Sequence, residues 1–151
     1  NTLQVMKKYI QQDDNSFESG GILLGRENAG NTNLIIEFIT EPMSGDKNSR
    51  CRFFRKDIGH IRFFEKLYED SEGIYRYIGE WHTHPENIPC YSSIDFKNWK
   101  KIGKKMKGGK QYHVIVGIEE LGIWEYDVTT KKATQIDSVN WGKVLDNENV
   151  F

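Results

Sequence analysis

Long apolar runs are missing from this 151-residue chain. None approaches the about 20 consecutive apolar residues that a bilayer helix needs. Cysteine is scarce. Cys51 and Cys90 are too few for a disulfide framework and read as free thiols in a reducing cytoplasm. Proline is scarce too, and three residues do not punctuate the chain into two domains. Neither sign of charge dominates: 21 basic residues face 22 acidic ones, for a formal net charge of -1. That balance points away from nucleic acid as a partner. Asn1 to Ile10 is polar and mixed and carries no signal-peptide pattern. Internal repeats and low-complexity tracts are also lacking. Aromatic residues, by contrast, make up 13% of the chain, which excludes a disordered one. The length suits one domain, 1–151, with a core that needs no disulfide or metal staple.

Periodicity supplies the elements. Leu3, Met6 and Ile10 predict a short N-terminal helix. Gly20 to Gly25 (GGILLG) reads as a buried strand, and Asn33 to Thr40 as its hairpin partner across a turn at Glu27 to Thr32. Glu41 to Asn48 has loop chemistry, and Arg50 to Arg55 reads as an edge strand. Asp57 caps a helix with Ile58, Ile61, Phe64 and Tyr68 on one face, ended by Gly73. Ile74 to His84 is a central strand stopped by Pro85. Ser92 or Ser93 caps a second helix bearing Phe96, Trp99, Ile102 and Met106, and Gly108-Gly109 ends it. Tyr112 to Ile118, Gly122 to Val128 and Ala133 to Ile136 close the sheet, and Gly142 to Phe151 is a lightly packed tail. Helices mixed among hairpin-linked strands predict an α+β class.

The segment Glu80 to Asp95 reads EWHTHPENIPCYSSID. His82 and His84 stand two apart at a strand end, so both imidazoles project from one face, with Trp81 sent to the core on the other. Asp95, at the start of the next helix, offers a third, oxygen ligand. Two histidines and a carboxylate, with the fourth position left to water, form the pattern of a catalytic zinc. A water activated there needs a base. Glu18, Glu80 and Glu86 are all candidates, and spacing alone does not choose among them. His60 and His113 lack partners at ligand spacing and read as structural. Cys90 reads as a small buried residue rather than a ligand.

Glu18-Ser-Gly-Gly-Ile-Leu-Leu-Gly25, then His82-Thr-His84-Pro85, then Ser92-x-x-Asp95 resembles the signature of the JAB/MPN metallopeptidase family. The predicted elements match that family's order across most of the chain. Its bacterial branch, and within it the JAB deconjugating peptidases of CBASS antiphage operons, is the most similar. Proline, Cys90 and Tyr91 before Ser92 depart from the proline-rich stretch common in bacterial relatives. The resemblance implies a mixed, mostly antiparallel sheet flanked by helices, of the cytidine-deaminase-like type. It implies one Zn²⁺ per chain held by His82, His84 and Asp95 with water as fourth ligand. It makes Glu18 the general base and Ser92 the oxyanion donor. The implied reaction is hydrolysis of the amide bond after the extended C-terminal tail of a ubiquitin-like or similarly conjugated protein. In a CBASS setting it frees a signalling nucleotidyltransferase from its conjugates.

Two other readings compete: a catalytically silent scaffold module, and a peptidase that processes a sulfur-carrier protein. A silent module usually lacks part of the Glu/His/His/Asp set, and this chain keeps all of it. The loops Glu41 to Arg50 and Glu86 to Tyr91 are expected to line the tail's channel. The lysine-rich stretch Lys97 to Lys110 reads first as a solvated helix face, with docking of an acidic partner as the sharper option. Neither nucleic acid nor a membrane is expected as a partner.

Overall fold

The computed structural model describes residues 1–27, 33–106 and 108–144. Helix α1 (Thr2–Lys7) precedes strands β1 (Gly20–Glu27) and β2 (Leu34–Ile39). A short hairpin follows, β3 (Lys47–Ser49) and β4 (Arg52–Phe54). Then come α2 (Gly59–Asp70), β5 (Arg76–Thr83), α3 (Ser93–Gly103), β6 (Lys110–Val116), β7 (Glu120–Asp127) and β8 (Lys132–Asn140). Six strands form one sheet in the order β2-β1-β5-β6-β7-β8. Every neighbouring pair is antiparallel except β5 and β6. A parallel pair needs a crossover, and α3 supplies it. The expected α+β class with a mixed, mostly antiparallel sheet is what the chain adopts. Among the described residues, no helix is long and apolar enough to cross a membrane.

Alternation along the strands divides the core in two. Met6 of α1 packs with Leu23, Trp81, Val114, Val116, Leu121 and Trp141. Trp99 of α3 packs with Ile115, Trp124 and Tyr126. Trp81 therefore lies in the core as expected, and its neighbours Glu80 and His82 project to the α3 side. The two leading glycines of β1 permit close approach. A Cβ on Gly20 would stand 2.4 Å from the Trp81 carbonyl oxygen, and one on Gly21 would stand 2.0 Å from that of Thr40.

Several expectations needed revision. β5 is interrupted: pairing steps from Leu23–Gly79 to Leu24–Tyr77, so Ile78 is an extra residue. This bulge swings Tyr77 toward Glu80, where their side chains meet at 3.4 Å. Lys47–Ser49, expected as loop, is a strand because β4 pairs with it; a polar tripeptide carries no periodic signal. β8 runs on to Asn140, beyond the expected Ile136, because β7 continues to pair with an exposed, polar edge. The helix start lies at Gly59 rather than directly after Asp57, yet the Asp57 carboxylate still accepts the Gly59 N–H at 2.8 Å. Cys90 is exposed, not buried. Pro89 takes the inner position, against Gly117. The expected turn lies largely outside the described residues, as do 145–151 of the expected tail.

Both structural histidines fit that reading. His113 is fully buried, stacks on Trp99 with ring centroids 4.5 Å apart, and bonds Gln111 at 2.7 Å. Burial pushes its pKa down to about 3, so it stays neutral. His60 bonds Thr40 through Nδ1 and the Asp46 carboxylate through Nε2 at 2.7 Å. Asp46 also accepts the N–H groups of Met43, Lys56 and Asp57 at 2.8–2.9 Å. One carboxylate thus clamps both ends of the segment that carries β3 and β4. Burial pushes its pKa up, but these bonds outweigh burial and hold it below the ordinary range.

Asp46→Ala is expected to strand the buried His60 ring, release three backbone N–H groups and cost about 3 kcal/mol, read as a lowered denaturant midpoint. The wild-type advantage is present at neutral pH and fades as the pH falls through the depressed pKa of Asp46.

Candidate functional site

The site forms where the end of β5 meets the start of α3. His82 lies on β5, and the His84 N–H donates to the Val116 carbonyl at 2.9 Å, carrying the parallel ladder one residue further. Ser92 caps α3. Its Oγ accepts the Asp95 N–H at 3.1 Å, and Asp95 Oδ2 accepts the Ser92 N–H at 2.7 Å. This reciprocal box anchors the Asp95 carboxylate within reach of both histidines. Asp95 Oδ1 lies 3.1 Å from His82 Nε2, and Oδ2 lies 3.2 Å from His84 Nε2. The two Nε2 atoms are 2.9 Å apart.

Two imidazole nitrogens that close cannot aim lone pairs at each other without a proton or a cation between them. His84 Nδ1 lies 2.8 Å from Glu86 Oε1. That contact places a proton on Nδ1 and turns the Nε2 lone pair inward. Donor atoms around a tetrahedral zinc with bonds of about 2.0–2.1 Å stand about 3.3–3.4 Å apart. The donor separations of 2.9–3.2 Å approach that figure. In chemistry and in spacing, His82, His84 and Asp95 fit a zinc ion.

The field in the site has the matching sign. Burial pushes Asp95 up, but the bonds from His82 and His84 and the Ser92 N–H hold it well below the carboxylate range. Burial pushes His84 down, but Asp95, Glu18 and Glu86 raise it above its ordinary value. The surrounding carboxylates stabilise positive charge at His84.

Glu18 lines the same cleft and is only 4% exposed. Its N–H donates to the Ser49 carbonyl at 2.8 Å, and Asn48 Nδ2 donates to its carbonyl at 3.0 Å. Burial drives its carboxyl up to about 7, with His82 and His84 opposing and Asp95 and Glu86 adding to the rise. The other two candidate bases are engaged. Glu80 accepts from Arg55 Nε at 2.9 Å and from Tyr77, and Glu86 holds His84. Ser92 lines the cleft, and its Oγ accepts the Asp95 N–H while keeping a proton that the hydroxyl can donate.

Gln11, a residue without any sequence signal, braces this arrangement. It is buried, donates to the carbonyls of Ser16 and Arg50 at 3.1 and 2.8 Å, and accepts from Thr83 Oγ at 2.9 Å. Thr83 Oγ in turn accepts the Ser19 N–H at 3.0 Å. One side chain thereby ties the Glu18 segment, the β3–β4 hairpin and the end of β5 together. A lone glutamine in a polar stretch carries no periodicity. The cleft has a volume of about 920 Å³. Residues 51–56 form one wall and α3 the other, with Glu86 the contribution from the expected 86–91 loop. Residues 41–50, expected to line the channel, do not line the cleft.

Glu18 has a higher pKa in the folded protein than its ordinary 4.5. Its contribution to stability is therefore full below about 4.5 and lost as the pH rises through about 7. In chelator-treated protein, Glu18→Gln is expected to raise Tm at alkaline pH, with the gain shrinking toward pH about 5. A gain that grew on acidification would contradict the assignment of a buried, raised carboxyl.

Residues 6–131 match the family described as prokaryotic homologues of the JAB domain. A CD-NTase/cGAS isopeptidase from Pseudomonas aeruginosa is 36% identical over 123 residues, covering 81% of this chain and 77% of that protein. One from Escherichia coli is 43% identical over 94 residues, covering 62% and 59%. One from Vibrio cholerae is 42% identical over 84 residues, covering 56% and 53%. The solution structure of a Desulfitobacterium hafniense protein aligns with a TM-score of 0.58 at 15% identity, over 90% of this chain and 85% of that one, and so shares the fold. On the extent of these matches and on its architecture, the chain belongs to the prokaryotic JAB-domain family.

Proposed function

We propose that this protein is a zinc-dependent isopeptidase, with His82, His84 and Asp95 as metal ligands, Glu18 as general base and Ser92 as oxyanion donor. The observation that carries the reading is the meeting of two Nε2 atoms and a capped carboxylate beside the buried Glu18 in one cleft. Bound zinc would supply a Lewis acid that polarises the scissile carbonyl and brings the pKa of water to about 7. Glu18 takes a proton from the attacking water. The protonated carboxyl then returns that proton to the departing amine. Ser92 donates its hydroxyl proton to the oxyanion that develops on the substrate carbonyl. Glu86 keeps His84 in the tautomer that leaves Nε2 free of its proton.

The relatives support a substrate class. They bear the name CD-NTase/cGAS isopeptidase. By that similarity we read this chain as a deconjugase of a CBASS-type antiphage system, one that releases a nucleotidyltransferase from proteins joined to its C-terminus. The tail would enter extended, beside β4, which pairs with β3 and lines the cleft. We read 1–151 as one catalytic domain. Cys51 and Cys90 are both exposed and unpaired, which suits a cytoplasmic site of action.

Cleavage of a nucleotidyltransferase tail fused through an amide bond to a reporter protein tests the reaction. Glu18→Gln is expected to abolish turnover. Ser92→Ala is expected to lower kcat by about 10²–10³-fold while zinc per chain stays unchanged. Loss of zinc in Ser92→Ala would make its role that of an Asp95 anchor instead. Glu86→Ala is expected to weaken zinc affinity by about 10–100-fold, measured by competition with a chromophoric chelator.

A further inference from the structure

The cleft has a charge pattern that the reaction itself does not require. Its floor is acidic, and each floor carboxylate has a place in the site: Asp95 and Glu86 on the histidines, Glu80 on Arg55, and Glu18 buried. Its walls are basic. Arg52 and Lys56 stand on the hairpin wall; Lys97, Lys101 and Lys105 stand on the helix wall. All five are exposed, and none forms an ion pair with a carboxylate among the described residues. Like charges facing each other across a cleft repel, and an anionic occupant relieves that cost.

The spacing suits an extended chain. Lys97 and Lys101 stand one helical turn apart, and Lys105 continues their row just past the end of α3. Asp95, the capped carboxylate of the metal site, lies at the near end of the same helix. From Asp95 to Lys105 the helical rise amounts to about 15 Å, the length of about five extended residues. On the opposite wall, the Arg52 guanidinium lies 4.1 Å and the Lys56 ammonium 5.7 Å from the centre of the Phe54 ring. Those contacts hold two cations beside an exposed aromatic face. Ile94 and Ile102 add apolar surface on the helix side.

We propose that the two walls recognise an acidic, extended peptide: a substrate tail with Asp or Glu side chains within about five residues of the scissile amide. This rests on the isopeptidase reading for the identity of the bond and deepens it by naming the tail's chemistry. A nucleic acid fits less well. Its closely spaced phosphates would meet the carboxylate floor, whereas a peptide can place its acidic side chains on the walls and its neutral amide on the floor.

The test uses the Glu18→Gln chain with zinc and two labelled tail peptides. One carries Asp and Glu at these positions, and the other carries Asn and Gln. Anisotropy is expected to show the acidic tail binding about tenfold tighter at about 50 mM salt, narrowing to about twofold at about 0.5 M. Adding Lys97→Glu and Lys101→Glu together should invert the preference toward a lysine-bearing tail, a result that misfolding cannot produce. Equal affinities for the acidic and amide tails would overturn the proposal. So would equally tight binding of a single-stranded oligonucleotide of matched charge. Wild-type cleavage of the same tails, fused to a reporter, separates the two claims. Binding preference without cleavage of any tail would support a basic-walled groove for acidic tails and remove the isopeptidase reading. Cleavage of both tails at equal rates would remove the groove and keep that reading.

Discussion

The bond from the Ser92 N–H to the Asp95 carboxylate, one half of the capping box, is the contact on which the site depends. A helix needs its first N–H groups satisfied, and here the residue that satisfies one of them is also the third donor beside His82 and His84. Secondary structure and chemistry are therefore inseparable at this point. The parallel pairing of β5 with β6 requires a crossover, the crossover is α3, and its N-terminus returns to the end of the strand that presents the histidines. The ladder bond from His84 to Val116 holds the other half of the arrangement.

A second layer of polar contacts makes this junction rigid. Gln11 joins three segments that meet nowhere else in sequence, and Asp46 clamps the segment bearing the hairpin wall. Both are buried polar groups that would be costly if left unpaired, and both are fully engaged. Their shared effect is to keep Glu18 buried beside the histidines. Burial raises its pKa to about 7, at a cost to the folded protein above that pH. Carboxyls raised in this way cluster at functional sites.

Much of this was legible in the sequence. The helix-strand order, the H-x-H on one strand face and the Ser-x-x-Asp cap follow from local periodicity and local hydrogen bonding. What escaped reading was set by pairing across the chain. β3 is polar and became a strand only because β4 lies beside it; Ile78 became a bulge only against β1; Cys90 turned outward because Pro89 filled the space by Gly117. On spacing alone the preference for Glu18 over Glu80 and Glu86 is of the same kind, although the family resemblance names Glu18. It rests on Arg55 and His84 occupying the other two, contacts between residues far apart in sequence or bent together by a loop. The basic walls combine both cases, since the lysine row is visible in α3 while its opposite wall is visible only in three dimensions.

The central claim is that His82, His84 and Asp95 together hold one zinc ion beside Glu18. The most direct measurement is a crystal structure of the purified protein with anomalous scattering collected on both sides of the zinc edge. A single zinc peak bonded to all three side chains, absent from His84→Ala, is expected. A wild-type crystal grown with added zinc that shows no peak there, or a peak bound elsewhere, would contradict it.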